Sequence, residues 1–249
     1  MNLRNAVVIV TGGTGGLGQR ICHAFAREGA RVAIVYQNSA DKAATVAAEL
    51  QDAGGAGFPY QCDVTDQAAA EALIEKVVAD HGRLDVLVNN ASFNQFVAFP
   101  ETDDLTPELW SKILNYNATA PYIISRAAAR PMRAQGQGRI INIASIAGLQ
   151  PTGSSIAYAV SKAALIHLTR CLAKALAPAV TVNCVAPGLM DGTRMTERLP
   201  EAMAENARRT AWLQKAADKD DVAAQVVTFA RSETTTGQTV AIDAGVFAH

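Results

Sequence analysis

The sequence predicts an α/β fold in which helices cover both faces of a doubly wound sheet of about seven parallel strands. Short apolar runs rich in β-branched residues, typical of buried parallel strands, alternate along the chain with helical patterns. Polar or glycine residues follow the ends of most of these runs, where ligands bind in such sheets. The predicted strands span residues 7–10, 31–35, 57–61, 86–89, 139–143, 181–185 and 239–242.

Helical patterns fill the gaps between these strands. They cover residues 41–53, 67–80, 107–134, 154–176 and 221–231, and a further one follows the first strand. Parallel strands need crossover connections of this kind. The 249 residues contain no repeat and no linker-like segment. We therefore expect a single domain that spans residues 1–249.

A glycine-rich loop follows the first predicted strand. It reads Thr-Gly-Gly-Thr-Gly-Gly-Leu-Gly from Thr11 to Gly18 and runs into a helical pattern. Strand, glycine turn and helix form the context of a dinucleotide fingerprint, in which N–H groups at the helix start bind a pyrophosphate. A P-loop is excluded because no Lys-Ser or Lys-Thr pair follows the glycines. The loop predicts a Rossmann-type dinucleotide site.

A tyrosine and a lysine lie four residues apart in one predicted helix. Tyr158 and Lys162 would leave the same helix face, and Ser145 follows the end of the predicted strand 139–143. Lowering a phenol pKa from ~10 to ~7 takes about 4 kcal/mol, and an ammonium ~5 Å away supplies roughly 3 kcal/mol at an effective dielectric of ~20. An oxidised nicotinamide ring would add a second positive charge. The three residues therefore predict acid–base chemistry beside a nicotinamide.

Together, these motifs are similar to those of the short-chain dehydrogenase/reductase family, over residues 5–245. The matching residues are Thr11, Gly12, Gly16 and Gly18 of the glycine loop, Cys62-Asp63-Val64, Asn89-Asn90-Ala91, Asn117, Ser145, Tyr158, Lys162, Asn183 and Pro187-Gly188. The resemblance implies an NAD(P)H-dependent oxidoreductase that interconverts a ketone and a secondary alcohol. Within the family, the chain looks most like reductases of 3-oxoacyl thioesters and sugar or polyol dehydrogenases.

The resemblance implies roles for four catalytic candidates. Tyr158 would be the general acid for ketone reduction and the base for alcohol oxidation. Lys162 would hold the nicotinamide ribose and lower the pKa of Tyr158. Ser145 would hydrogen-bond the substrate oxygen. Asn117 would hold a proton-relay water near Lys162, and Asn115 is the rival assignment.

The resemblance also implies a set of cofactor contacts. Asp63 would accept a hydrogen bond from the adenine amino group, and Thr193 would contact the nicotinamide carboxamide. Ser92 departs from the family, which usually has glycine there, so its side chain either fits the local backbone or projects toward the nicotinamide. The full predicted set is Gly12, Thr14, Gly15, Gly16, Leu17, Gly18, Gln37, Asn38, Ser39, Asp63, Val64, Asn90, Ala91, Tyr158, Lys162, Pro187, Gly188 and Thr193.

The end of the second predicted strand bears on the choice between NADP and NAD. An NAD enzyme typically has an acidic residue there, whereas this chain has Gln37, Asn38 and Ser39 and no acid before Asp41. Related NADP enzymes usually have an arginine where Gln37 stands. Neutral hydrogen bonds from Asn38, Ser39 and Thr14 would bind a phosphate more weakly than charged ones. The sequence favours NADP and leaves NAD open.

By resemblance, the segment 189–214, which follows Pro187-Gly188 and carries several apolar residues, would line a substrate pocket and form a mobile lid. We expect a small or medium carbonyl substrate with some polar groups. Two rival functions remain: a catalytically silent dinucleotide-binding sensor or scaffold, and a dehydratase or epimerase that uses the same residues.

Composition limits the choice of partners. The chain is 49% hydrophobic and 18% charged with a net charge of −1, which argues against a nucleic-acid partner. The cysteines are far apart and lack metal-ligand spacing, so no metal is expected. No signal segment or membrane-spanning run is evident, and the cytoplasm is the expected location. By resemblance, the helices 107–134 and 154–176 and the region 241–249 would form the interfaces of a homotetramer.

Overall fold

Seven parallel strands form one sheet in the order β3-β2-β1-β4-β5-β6-β7. The computed structural model describes residues 1–247, and the last two residues of the predicted interface region 241–249 lie outside the described residues. The chain order reverses direction between β1 and β4, so the carboxyl ends of these two strands flank the switch point at which such sheets bind ligands. The doubly wound α/β fold is confirmed.

All seven predicted strands are present, with bounds within two residues of those expected. Most consist of apolar residues buried on both faces, as expected for strands covered by helices on either side. The strands are β1 Val7–Thr11, β2 Arg31–Tyr36, β3 Ala56–Gln61, β4 Val86–Asn89, β5 Gly138–Ile143, β6 Val180–Pro187 and β7 Thr239–Ile242.

Helices cover both faces of the sheet. The α-helices are α1 Gly16–Arg27, α2 Ala40–Asp52, α3 Gln67–His81, α4 Pro107–Leu114, α5 Ala120–Ala134, α6 Ile156–Leu176, α7 Glu201–Thr210 and α8 Lys219–Arg231. One apolar core lies between the sheet and α1, α2 and α8, and another lies between the sheet and α3, α5 and α6. Side chains of β1 alternate between the two cores, with Val8 and Val10 in one and Val7 and Ile9 in the other.

The predicted helix 107–134 is interrupted, which corrects the sequence-based expectation. A π-helical turn, Asn115–Thr119, separates α4 from α5, and the N–H of Ala120 donates to the carbonyl of Asn115 five residues earlier. Pro121 has no N–H to give to the carbonyl of Asn117, so the regular α-helical ladder cannot continue through this point. Such turns often occur at functional sites.

A buried polar chain joins the two central strands to the helices behind them. Asn89 in β4 donates to Ser125 at 2.9 Å and to Asn142 of β5 at 2.8 Å. Asn142 in turn donates to Thr169 of α6 at 2.9 Å. Because every member has a partner, the chain fixes the positions of α5 and α6 relative to β4 and β5.

Helix α6 is long and apolar enough to cross a membrane by length and composition alone. Half of its most apolar stretch is buried inside the protein. It packs against β6 and carries Tyr158 and Lys162. In the fold it is a core helix that positions the candidate site.

Candidate active site

A cavity of about 580 Å³ opens at the carboxyl ends of the strands. This volume lies in the range of pockets that hold small molecules and cofactors. Its lining includes the following predicted site residues: Gly12, Thr14, Gly15, Gly16, Leu17, Gly18, Gln37, Asn38, Ser39, Asp63, Val64, Asn90, Ala91, Ser145, Tyr158, Lys162, Pro187, Gly188 and Thr193. Asn117 is the one predicted site residue that is not part of this lining.

The glycine loop is packed so tightly that only glycine fits at its end. A Cβ atom at Gly18 would overlap the carbonyl oxygen of Gly12 and lie 2.9 Å from the Cα of Gly13. Gly12 itself has a φ of 63°, a conformation that favours glycine. The N–H groups of Gly13 and Gly15 are bonded to the carbonyls of Val35 and Gly12, whereas the start of α1 at Gly16 lines the cavity, where its N–H groups can bind a pyrophosphate.

Thr11 joins the glycine loop to the turn after β4. Its hydroxyl oxygen accepts hydrogen bonds from the N–H groups of Asn90 at 2.9 Å and Ala91 at 3.0 Å. The Asn90 amide donates back to the carbonyl of Thr11 at 2.9 Å. The side chain of Asn90 thus braces the loop, and both Asn90 and Ala91 line the cavity.

Two contacts fix Tyr158 and Lys162 on α6. Ser155 caps the helix by accepting a hydrogen bond at 3.1 Å from the N–H of Tyr158. The Lys162 ammonium donates to the carbonyl of Ile143 at 3.0 Å and lies 5.6 Å from the centre of the Tyr158 ring. Both side chains therefore meet at the end of β5, as the i, i+4 spacing predicts.

Burial changes the pKa values of both groups. Desolvation raises the pKa of Tyr158 to about 12, and the Ser145 hydroxyl opposes this shift in part. Desolvation lowers the pKa of Lys162 to about 8. In the free protein the pKa of Tyr158 thus moves in the opposite direction to that expected from a neighbouring ammonium alone, because the sequence-based reasoning left out the cost of burying a phenolate.

Ser145 lies in a turn that packs directly on α6. Its hydroxyl accepts a hydrogen bond from the N–H of Ala147 at 3.2 Å and is within 3.4 Å of the carbonyl of Pro187. A Cβ atom at Gly148 would lie 2.5 Å from the backbone of Lys162. Gly148, which the sequence analysis missed, therefore lets this turn approach the helix closely enough to bring Ser145 beside Tyr158.

The side chain of Asn117 is fully buried and fully hydrogen-bonded. Its oxygen accepts from the Ser92 hydroxyl and the Phe93 N–H, both at 2.9 Å, and its nitrogen donates to Ser161 at 3.0 Å and to the carbonyl of Phe93. The hydroxyl of Ser92 thus fits the local backbone. The side chain of Asn117 holds the loop after β4 against α6, and its role in a proton relay stays a prediction.

At the adenosine end, Gln37 and Asp63 contact each other. The Gln37 amide donates to the Asp63 carboxylate at 2.8 Å, and the other carboxylate oxygen accepts from the hydroxyl and the N–H of Thr65. The hydrogen bonds from Thr65 are the main reason that the pKa of Asp63 is lowered. Both readings of Asp63, as a turn residue and as a wall of the adenine site, are compatible with this geometry.

A cation that the sequence analysis missed lines the same end of the cavity. Lys42 lies in the first turn of α2 and shares a helix face with Ser39, whereas Asp41 does not line the cavity. Within residues 1–247, Lys42 forms no ion pair and no side-chain hydrogen bond. The signal that could have identified Lys42 is its helical spacing from Ser39, because residues three apart in a helix lie on the same face. The predicted cofactor contacts after the second strand ended at Ser39.

The segment 189–214 covers the other end of the cavity. Gly192 and Thr193 pack on Gly16, and one face of α7 lines the cavity with Met203, Asn206, Ala207 and Thr210. The Met195 sulfur lies 4.0 Å from the Tyr158 hydroxyl. The segment therefore encloses the space in front of Tyr158.

Fold and site together define a dinucleotide-dependent oxidoreductase. The family model of short chain dehydrogenases matches residues 6–204. The chain belongs to this family. It is an enzyme that uses a nicotinamide dinucleotide to interconvert a ketone and a secondary alcohol, and the family prediction is confirmed.

Three known proteins illustrate the similarity. A ketoacyl reductase of the granaticin polyketide synthase from Streptomyces violaceoruber is 38% identical over 241 residues, covering 96% of this chain and 95% of that protein. The NADPH-dependent 3-quinuclidinone reductase from Rhodotorula rubra is 31% identical with a TM-score of 0.90, covering 98% and 92%. A xylitol dehydrogenase with bound NAD⁺ is 28% identical with a TM-score of 0.92, covering 98% and 100%.

Replacing Gly18 with alanine is expected to weaken dinucleotide binding at least a hundredfold, because the new Cβ would force the glycine loop apart. Calorimetric titration with NADPH and NADH measures the effect. Gly136→Ala is the control: it adds the same methyl group to a glycine that lies outside the cavity, where a Cβ meets open space. Unchanged affinity in Gly18→Ala would show that the loop does not hold the pyrophosphate.

Proposed function

We propose that Tyr158 is the general acid and base of the reaction, with Ser145 polarising the substrate oxygen and Lys162 stabilising the phenolate. The observation that carries the proposal is the meeting of these three side chains at one wall of the dinucleotide cavity. When bound, the nicotinamide supplies or accepts the hydride at the substrate carbon. The protein provides the proton and the orientation.

In ketone reduction, the Tyr158 hydroxyl gives its proton to the carbonyl oxygen while the carbon gains hydride. The raised pKa of Tyr158 keeps the group protonated in the free enzyme, which suits a proton donor. The Lys162 ammonium stabilises the resulting phenolate until water restores the proton. In alcohol oxidation the same proton passes back from the hydroxyl to Tyr158.

Two residues of the cavity would hold the nicotinamide half. Lys162 would hydrogen-bond the ribose, as the resemblance implies, and Thr193 would face the carboxamide. Thr193 is 8% exposed, lines the cavity beside Gly16 and already donates to the carbonyl of Met190 at 3.2 Å. Its oxygen already accepts from the N–H of Thr196 at 3.3 Å, which leaves one lone pair to accept a hydrogen bond from an amide.

Replacing Tyr158 with phenylalanine is expected to lower kcat for ketone reduction by at least a thousandfold, because the proton donor is lost while the ring remains. Steady-state nicotinamide absorbance measures turnover, and calorimetry with NADPH measures binding, which should change less than threefold. Tyr60→Phe, which removes a hydroxyl that bonds Asp80 outside the cavity, serves as the control. Turnover in Tyr158→Phe near the wild-type rate would remove Tyr158 from the mechanism.

The pH dependence of turnover should report the protonation state of Lys162. Its pKa is lowered to about 8, so the ammonium is present below that pH and is lost as the pH rises through it. We expect kcat/KM for the reduced cofactor, which reports groups of the free enzyme, to fall about tenfold per pH unit above about 8. Circular dichroism over the same range controls for unfolding. A profile that stays flat up to about pH 10 would contradict a buried, perturbed Lys162.

We infer a preference for NADP, supported by the charge that Lys42 brings to the adenosine end. Ser39 begins α2 without using its hydroxyl as a cap, and Lys42 lies beside it on the same face. A phosphate there would meet the helix start, two hydroxyl or amide groups and one ammonium. The one carboxylate in this part of the lining, Asp63, is already held by Thr65 and Gln37.

Replacing Lys42 with glutamine is expected to weaken NADPH binding about tenfold more than NADH binding, because a charge-assisted hydrogen bond contributes about 1.5–3 kcal/mol. Binding of 2′,5′-ADP and of 5′-AMP isolates the adenosine half. Lys174→Gln removes the same charge from an exposed position outside the cavity and should leave both affinities unchanged. An NADPH-to-NADH ratio that is the same in Lys42→Gln and the wild type would exclude Lys42 as the phosphate ligand.

A homotetramer is our proposal for the assembly. Tyr122 on α5 and Val160 on α6 are 44% and 40% exposed, which leaves large apolar side chains on the two helices expected to pair between subunits.

The cytoplasm is the location we propose, supported by four free cysteines.

We also propose that residues 189–214 move as a lid, since Met195 occupies space in front of Tyr158 that a substrate carbonyl needs.

A further inference from the structure

One cation of the cavity lining has no part in the function proposed above. Arg194 lies in the segment 189–214, lines the cavity and is exposed. Among the described residues, its guanidinium forms no ion pair and no hydrogen bond. Asp191 and Glu201 of the same segment are already paired with Arg208, at 2.8 and 3.1 Å. Arg194 therefore brings an uncompensated positive charge to the cavity.

The neighbours of Arg194 in the chain place it between the glycine loop and Tyr158. The backbone before it packs so closely on the start of α1 that a Cβ atom at Gly16 would lie 2.7 Å from the carbonyl oxygen of Gly192. The residue after it, Met195, has its sulfur 4.0 Å from the Tyr158 hydroxyl. The chain therefore carries Arg194 past the first N–H groups of α1.

The start of α1 offers an anion hydrogen-bond donors but no full charge. Gly15 precedes the helix and has no side chain to cap it, so the first N–H groups of α1 gain no partner from that position. Residues 11–18 contain no charged side chain. A phosphate bound there would gain N–H bonds and the favourable end of the helix dipole. Any cation that balances its charge must come from another part of the cavity.

Arg194 is the cation placed to supply that charge. The charged residues of the lining are Lys42, Asp63, Lys162 and Arg194. Lys42 lies at the adenosine end, and the carbonyl of Ile143 holds the Lys162 ammonium at 3.0 Å beside Tyr158. The pyrophosphate of a dinucleotide lies between these two ends, and a guanidinium can bind two phosphate oxygens at once.

The outer part of the segment 189–214 has few buried contacts of its own. In α7 only Ala204 is buried, and both ion pairs of Arg208 join residues within the segment. The two ends of the segment are joined to each other, since the N–H of Ala217 donates to the carbonyl of Leu189 at 2.7 Å. Regions with few buried contacts have low local stability. A bound ligand that contacts Arg194 would therefore hold this part of the chain in place.

We propose that the Arg194 guanidinium binds the pyrophosphate of the dinucleotide and thereby ties the segment 189–214 to the bound cofactor. This inference rests on the proposed function for the movement of the lid, and it adds the residue and the ligand group that hold the lid closed. Because the pyrophosphate is common to NADP and NAD, Arg194 would strengthen the binding of both and would not choose between them. In this respect its role differs from that of Lys42.

Calorimetric titration without turnover tests the contact. In Arg194→Gln we expect the affinities for NADPH, NADH and ADP-ribose each to fall about tenfold, because all of these ligands carry the pyrophosphate. Arg194→Lys, which keeps the charge but loses the planar fork, should recover part of the loss. Arg27→Gln is the matched control: it removes the same charge from the last turn of α1, outside the cavity, and should leave the affinities unchanged.

Amide hydrogen exchange tests the link to the lid. Saturating NADH should slow exchange in α7 of the wild type and of Arg27→Gln, and should slow it clearly less in Arg194→Gln. A role of Arg194 in the fold alone would change exchange in α7 without cofactor as well. Equal protection by NADH in Arg194→Gln and the wild type, or no protection in either, would overturn the link between the cofactor and the lid.

The three ligands also separate the pyrophosphate from other parts of the cofactor. Affinities for NADPH and NADH that are unchanged in Arg194→Gln would overturn the inference. A loss confined to NADPH and NADH, with ADP-ribose binding as in the wild type, would place the guanidinium at the nicotinamide and would also overturn it. None of these measurements depends on turnover, so the inference and the acid–base role of Tyr158 fail on different results.

Discussion

The burial of Lys162 is the constraint on which the site depends. Only 2% of this residue is exposed, and an ammonium taken out of water needs fixed partners to stay charged. The Ile143 carbonyl provides one such partner at 3.0 Å, and the cavity leaves room for others. Desolvation lowers the pKa of Lys162 to about 8 and raises that of Tyr158 to about 12. Under the mechanism that we propose, a polar ligand in the space in front of the pair would offset part of this desolvation, so proton transfer would be coupled to ligand binding.

That constraint explains much of the surrounding architecture. Lys162 and Ile143 can meet only if α6 passes close to the end of β5, and Gly148 permits this by leaving no Cβ between the turn and the helix. Ser155 fixes where α6 begins and hence where Tyr158 points. The buried chain from Asn89 through Asn142 to Thr169 then holds the helix to the central strands. Each of these contacts involves the backbone or a fully satisfied polar group, so the site inherits the rigidity of the sheet.

The strands and the glycine loop could be predicted because their signals are local. A run such as 181–185 is apolar and β-branched, and Gly18 is required by a close backbone approach within its own loop. Other features depend on distant contacts. The π turn is caused by Pro121, within a pattern that otherwise predicts a continuous helix. Lys42 reaches the cavity because it shares a face of α2 with Ser39, and the end of the strand gives no sign of this. The direction in which the pKa of Tyr158 shifts depends on how deeply the ring is buried, and no spacing in the sequence reveals that depth.

The residues that set chemistry and those that set selectivity are held in different ways. Tyr158 and Lys162 are locked by backbone contacts that also stabilise the fold, so replacing their supports would disturb both. Lys42 forms no ion pair and no side-chain hydrogen bond within residues 1–247, and the side chain of Asn94, which also lines the cavity, forms no hydrogen bond there either. Groups of this kind can change without weakening the sheet or the catalytic pair. The fold can thus keep the Tyr158–Lys162 pair while the two ends of the cavity are adapted to different dinucleotides and carbonyl compounds.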